Sequence, residues 1–203
     1  MDGQKTYKAF TLIEMLIVMG ILIILMVVGV AAGRFAINRA NEIANRNGAT
    51  QLYQAMQAHY TDYGKYPQPA TGSTFYAMVT GESGPGTIGQ YLDMGSFGGK
   101  DATYIYLPNK EYQSMLVCVS LGDIGDEANK GFVCAGNGFG DKDITLTNES
   151  GCGNGKELVK DKIEPGETCY DALKSAETGL RGIFKDKKWD LGNDSLKPNF
   201  SAS

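Results

Sequence analysis

Apolar residues are concentrated in one run near the N-terminus. Residues 15–33 are nineteen consecutive residues without a formal charge, nearly all of them Ile, Leu, Val, Met or Ala. At about 1.5 Å per residue this run forms roughly 28 Å of helix, close to the ~30 Å hydrocarbon core of a bilayer. The pattern predicts a membrane-spanning helix, with basic residues before it at Lys5 and Lys8 and after it at Arg34 and Arg39.

One acid, Glu14, lies at the N-terminal end of this apolar segment. An ionisable group near the bilayer interior is costly, so it usually faces a partner and marks a functional position. The alternative is an acid that reaches the lipid surface and has no role. We expect Glu14 to have a function.

The helical pattern continues past the apolar run. Apolar residues recur with gaps that mostly fit a 3.6-residue period, whereas polar residues, Asn45 and Arg46 among them, fill the opposite side. Gly48 interrupts the pattern. Glycine lowers helix stability by about 1 kcal/mol relative to Ala, and it is expected to permit a bend here. Gly64, followed by Pro67, predicts the end of the helix. The apolar positions are Ile37, Ala40, Ala44, Leu52, Met56, Tyr60 and Tyr63.

A smaller α+β part follows. Residues 68–99 are rich in Gly, Ser, Thr and Pro and predict a loop with one small helix. Two strands are expected at 102–107 and 113–120, where β-branched and aromatic residues are frequent, and weaker ones at 131–134 and 143–147. A short helix is expected at 168–176, and Trp189 as a packing residue. The fold class is therefore α+β, a long N-terminal helix packed on a small antiparallel sheet.

The charge and the cysteines narrow the function classes. From residue 64 onward there are fourteen Lys or Arg and nineteen Asp or Glu, and this net charge of −5 argues against a nucleic-acid-binding surface.

The four cysteines show no CxxC spacing and indicate two disulfides in an oxidising compartment, or else reduced buried thiols. Three connectivities are possible. Local pairing, Cys118 with Cys134 and Cys152 with Cys169, closes the shorter loops and is favoured.

Three interpretations of the N-terminus compete. A general secretory signal would be cut after the small residues at 30–32, but Glu14 lies within the segment and the segment is long for such a signal. A plain signal anchor leaves Glu14 without a role. The third interpretation accounts for the acid.

Residues 8–18, KAFTLIEMLIV, combine a basic residue, a small residue, FTLIE and a spanning run. This segment resembles the class III signal of type IV pilins and type II secretion pseudopilins. The resemblance implies that a prepilin peptidase cuts between Ala9 and Phe10 and that Phe10 becomes the N-methylated first residue. It departs from the family in one position, since Ala9 stands where Gly is usual.

The resemblance also implies a domain organisation: a leader at 1–9, a transmembrane and polymerisation helix at 10–33, its amphipathic continuation at 34–63, and a globular head with disulfides at 64–203. Glu14 would pair with the amine of Phe10 on a neighbouring subunit. The expected partners are identical or related pilin subunits, the peptidase, the pilus or secretion assembly machinery, and membrane lipid before assembly. The expected location is the cytoplasmic membrane, with the head outside the cytoplasm, and then a surface filament.

No catalytic set emerges from the sequence. His59 is the only histidine and has no Cys or Ser nucleophile nearby in sequence. We expect no cofactor and no enzymatic activity. A calcium site is a weaker possibility that the family also suggests, because acids flank Gly-rich turns, although their spacing is not that of an EF-hand. The candidate ligands are Asp123, Asp126, Asp141 and Asp143.

Overall fold

The computed structural model describes residues 11–70, 73–81, 84–95, 97–99, 101–122, 124, 130–141, 143–144, 161–175 and 179–189. The chain forms two compact units, Met1–Asn41 and Glu42–Ser203. Helix α1, Leu12–Tyr63, begins in the first unit and ends in the second. It ends at Tyr63, where the predicted amphipathic continuation at 34–63 also ends.

The described residues of the second unit form two short helices and six strands. The helices are α2, Phe75–Thr80, and α3, Thr168–Ser175; the strands are β1, Ala102–Pro108, β2, Met115–Ser120, β3, Phe132–Gly136, β4, Lys162–Ile163, β5, Leu180–Lys185, and β6, Lys188–Trp189. They form one antiparallel sheet in the order β4-β3-β2-β1-β5-β6. The predicted α+β class is confirmed.

Both faces of the central strands are covered. One face of β1 and β2 joins the core cluster that contains Leu52 and Met56 of α1. The other face joins a second cluster that contains Cys169 and Leu173 of α3. Every residue of β1 and β2 is therefore buried. A strand buried on both sides needs apolar residues at nearly all positions rather than at alternate ones.

Helix α1 packs in the second unit through small residues. Gly48 and Ala49 are buried beside Leu52, and a Cβ on Gly48 would lie 2.8 Å from the Cα of Gly99. The helix is continuous through Gly48. Glycine serves close approach of the helix backbone to its neighbours.

Asn45 was predicted to lie on the polar side of α1, away from the apolar positions, and this prediction is wrong. This residue is buried, and its Nδ2 donates to the carbonyl of Ser120, 3.1 Å away. A buried amide is stable only when it is hydrogen-bonded, and the end of β2 supplies the acceptor.

The C-terminal end of α1 agrees with the prediction. Gly64 has φ 70°, and its amide donates to the carbonyl of Tyr60 at 2.8 Å. This left-handed residue ends the helix after Tyr63.

The C-terminal strands were not predicted. In β5 the buried positions alternate with more exposed ones, and β5 pairs with β1 along its length. The β6 residue Trp189 is buried against Phe75, Phe97 and Phe184, so its predicted packing role is confirmed. The weak strand prediction at 143–147 fails at Asp143 and Ile144, which lie in no strand; residues 145–147 are outside the described residues.

Candidate functional site

The first described turn of α1 is built around Thr11 and Glu14. The Thr11 amide donates to Glu14 Oε2 at 3.0 Å, and the Thr11 hydroxyl donates to the same oxygen at 2.9 Å. In return the Glu14 amide donates to Thr11 Oγ1 at 3.4 Å. This reciprocal pattern is a capping box, which satisfies backbone donors that have no partner within the helix.

Thr11 is a site residue that the sequence reasoning missed. Its signal was present, because Thr11 and Glu14 have the T-x-x-E spacing of a capping box directly before an apolar run. Glu14 therefore has a local partner within a single chain. Ala9 and Phe10, the predicted cleavage and methylation positions, lie outside the described residues.

The apolar side chains after Glu14 are exposed. From Met15 to Val30 the large apolar residues all have more than half of their surface exposed. Among the described residues α1 is the one helix long and apolar enough, by length and composition, to cross a membrane. A Cβ added at Gly20, Gly29 or Gly33 would have no neighbour within 4 Å. Such a surface requires lipid or other helices around it.

The cysteine pairing is in part confirmed. Cys118 and Cys134 form a disulfide between β2 and β3, where they are register partners. Cys169 is also disulfide-bonded. Cys152 lies outside the described residues, so its pairing with Cys169 stays a prediction.

Asp141, one of the weak calcium candidates, is engaged in hydrogen bonds. Its carboxylate accepts from the hydroxyl of Ser114, from Asn109 Nδ2 at 3.3 Å and from the amide of Asp143 at 2.9 Å. Partial burial raises the pKa of Asp141, but these three donors outweigh that effect and leave the pKa below its ordinary value. Asp141 thus joins the β1–β2 connection to the loop after β3.

The structure brings the calcium candidates together only in part. The backbone amide of Asp143 donates a hydrogen bond to the carboxylate of Asp141, whereas Asp123 and Asp126 are outside the described residues. Within the part of the chain that the structure describes, no group of three His, Cys, Asp or Glu side chains has a metal-binding arrangement.

His59 is buried between backbone segments. Its Nδ1 lies 3.0 Å from the carbonyl oxygen of Lys65 and its Nε2 lies 3.2 Å from that of Gly84, while Tyr63 stacks on the ring. Both ring nitrogens face main-chain oxygens rather than a side-chain nucleophile. His59 holds the segments around Lys65 and Gly84 against the end of α1.

Comparison with known proteins identifies the N-terminal segment. Residues 4–30 match the family model described as the prokaryotic N-terminal methylation motif. No curated protein and no solved structure matches the chain. The matched region contains Ala9, Phe10, Thr11 and Glu14 and most of the apolar run. The chain therefore carries the class III signal of type IV pilins and pseudopilins, at the start of a helix fit to anchor it in a membrane.

Proposed function

We propose that this chain is the precursor of a structural subunit of a type IV pilus-like filament. Prepilin peptidase cuts it between Ala9 and Phe10, Phe10 is N-methylated, and the helix at 10–33 packs against other subunits. The methylation motif at residues 4–30 is the observation that carries the proposal. Adhesion, motility or a related surface function follows from assembly, and the chain itself catalyses no reaction.

The exposed apolar surface of α1 supports assembly by helix packing. In lipid, neighbouring helices gain little from apolar contact alone, so small residues and polar pairs govern their association. Gly20, Gly29 and Gly33 leave room for close approach of a second helix. Glu14 supplies the polar group, and the new amine of Phe10 on a neighbouring copy supplies a positive partner.

Two variants at Glu14 separate its two roles. Glu14→Gln keeps the side-chain oxygen that accepts from Thr11, because glutamine also serves in a capping box. It removes the negative charge, which the assembly role requires. Glu14→Ala removes both. We expect both variants to be inserted and cut normally but to yield few filaments.

The measurement is the amount of filament sheared from cells, compared with the amount of cut subunit in the membrane. Glu42→Ala is the matched control, since Glu42 is an acid on the same helix beyond the apolar run. Wild-type filament yield from Glu14→Gln would show that the charge has no role and would restrict Glu14 to helix capping.

Mass spectrometry of the native N-terminus tests the processing. N-methyl-Phe10 supports the filament family. Gly33 as the first residue would indicate ordinary secretion, and an intact leader would indicate a simple membrane anchor, so that either result would leave a non-polymerising binding domain as the function.

The same motif also supports a second candidate, a type II secretion pseudopilin, whose short filament acts as a piston in protein export. Deletion of the gene separates the two functions. Loss of surface filaments with normal export supports the pilin function, whereas loss of export of folded proteins supports the pseudopilin function.

A further inference from the structure

The imidazole ring of His59 has a carbonyl oxygen at each of its two nitrogens. Nδ1 lies 3.0 Å from the oxygen of Lys65, and Nε2 lies 3.2 Å from the oxygen of Gly84. A carbonyl oxygen only accepts hydrogen bonds, whereas a neutral imidazole carries one N–H group and one lone pair. Only the doubly protonated ring can therefore donate to both oxygens.

The neutral ring would leave one of these two contacts without a hydrogen. A nitrogen lone pair would then face a carbonyl oxygen inside the protein, because His59 has no exposed surface. A buried polar group without a partner is costly, and a hydrogen bond from a charged donor is stronger than one from a neutral donor. Both effects favour the imidazolium in the folded state and oppose the cost of burying its charge.

Two tyrosines contact the ring. Tyr63 of α1 stacks on it with 4.5 Å between the ring centroids, and the face of an aromatic ring attracts a cation. Tyr91, in the loop before β1, meets the ring at 81° with 6.0 Å between the centroids. The stacked tyrosine therefore adds to the preference for the charged ring.

The charged residues on the surrounding segments include one acid bonded to these tyrosines. The hydroxyl of Tyr91 donates to Asp62 Oδ2 at 2.5 Å, and this hydrogen bond raises the pKa of Tyr91. Lys65 is exposed, and Glu82, two residues before Gly84, lies outside the described residues. A carboxylate beside the aromatic contacts of His59 favours a cation over the neutral ring.

The two carbonyl oxygens are not equivalent. The oxygen of Gly84 also accepts from the amide of Thr87 at 3.2 Å and from its hydroxyl at 3.4 Å. The oxygen of Lys65 has the shorter contact with the ring. A ring that loses one proton is therefore expected to keep the other on Nδ1, facing Lys65, and to release Gly84.

We propose that His59 is a proton-dependent latch of the second unit. Its imidazolium ties the turn at Gly84 to the end of α1, and loss of the Nε2 proton releases that turn. The folded state binds this proton more tightly than the unfolded chain, so the latch stabilises the fold fully below about pH 6.5, where an unfolded histidine is also protonated. The contribution is lost as the pH rises and the folded ring gives up its proton. This inference does not depend on filament formation.

Nitrogen NMR of the full-length chain in detergent, labelled at histidine, reads the protonation state directly, because His59 is the only histidine. At pH 6 we expect protons on both ring nitrogens, in slow exchange with solvent. At higher pH we expect Nε2 to lose its proton first, and the amide of Thr87 to exchange faster in the same pH range. A neutral ring at pH 6, or loss of the Nδ1 proton first, would refute the latch.

Urea unfolding followed by the fluorescence of Trp189 measures the effect on stability. From pH 5 to pH 9 we expect the unfolding constant of the wild type to rise about ten-fold more than that of His59→Gln, whose amide donates but does not titrate. Asp62→Asn is the control, because it removes the neighbouring acid and keeps the histidine; most of the pH dependence should remain. Equal pH dependence in the wild type and His59→Gln would overturn the proposal, and if His59→Gln does not fold, the NMR titration of the wild type decides.

Discussion

Replacing Gly48 by alanine tests how closely α1 packs in the second unit. Helix propensity alone favours the substitution by about 1 kcal/mol. The new Cβ, however, would lie 2.6 Å from the Tyr104 hydroxyl oxygen and 2.8 Å from the Cα of Gly99. Both neighbours would have to move.

Neither neighbour moves easily. Gly99 offers a backbone atom, and Tyr104 is fully buried with its ring against Phe97 and Trp189. Overpacking a well-packed core costs about 1–3 kcal/mol, and two fixed neighbours place Gly48→Ala near the upper limit. Subtracting the gain in helix propensity of about 1 kcal/mol leaves a net destabilisation of about 2 kcal/mol.

Urea unfolding of the full-length chain in detergent measures this effect. Trp189 is the only tryptophan and is 5% exposed, so its fluorescence reports the loss of the core. Thr50→Ala is the control, because Thr50 is exposed on the same helix; there we expect no loss and a gain of up to about 0.7 kcal/mol.

A double-mutant cycle with Tyr104→Phe tests the physical cause. Removing the hydroxyl relieves the shorter of the two contacts, so Gly48→Ala should cost about 1 kcal/mol less in that background. A Gly48→Ala variant as stable as the wild type, or one whose cost is unchanged by Tyr104→Phe, would refute the close-packing argument.

Three further perturbations address other parts of the second unit. Asp141→Asn should lower the free energy of unfolding near neutral pH and make that free energy depend less on pH under acidic conditions. The pKa of Asp141 is depressed from its ordinary 3.8, so its contribution to stability is present above that value and is lost as the pH falls through the native pKa. An unchanged slope of the unfolding midpoint against pH would contradict this. Cys118→Ala with Cys134→Ala removes a cross-link over a sequence separation of 16 and should cost about 3 kcal/mol in urea unfolding, whereas a wild-type midpoint would show that the cross-link is dispensable. Leu52→Ala, at a fully buried position of α1, should cost about 2–5 kcal/mol by the same assay, and a loss below 1 kcal/mol would mean that the site collapses on substitution.

The sequence predicts the parts of the fold that have local signals. The C-terminal end of α1 follows from helical periodicity and from Gly64, and β1 and β2 follow from segments in which β-branched and aromatic residues are frequent. The buried Asn45 has no such signal, since its acceptor on Ser120 is 75 residues away. Whether a polar residue is buried depends on a partner that only the fold brings near.

Strand β5 shows a second limit. Its inward positions, Leu180, Gly182 and Phe184, alternate with outward ones, but Gly182 weakens the apolar pattern. The glycine is required because a Cβ there would lie 2.3 Å from the ring of Phe75. A close contact with a helix about a hundred residues earlier thus removed the signal that would have revealed the strand.

At the candidate site, the motif around Glu14 was readable because residue types and spacing alone define it. The capping contact with Thr11 was equally readable as T-x-x-E.

The position of β5 in the sheet has a consequence for synthesis. β1 lies between β2 and β5, so one edge of β1 stays unpaired until residues 180–185 have been made. An open edge of this kind is a template for pairing with other chains. A protein truncated before β5 would therefore keep the edge of β1 open, and we expect it to pair with other chains through that edge.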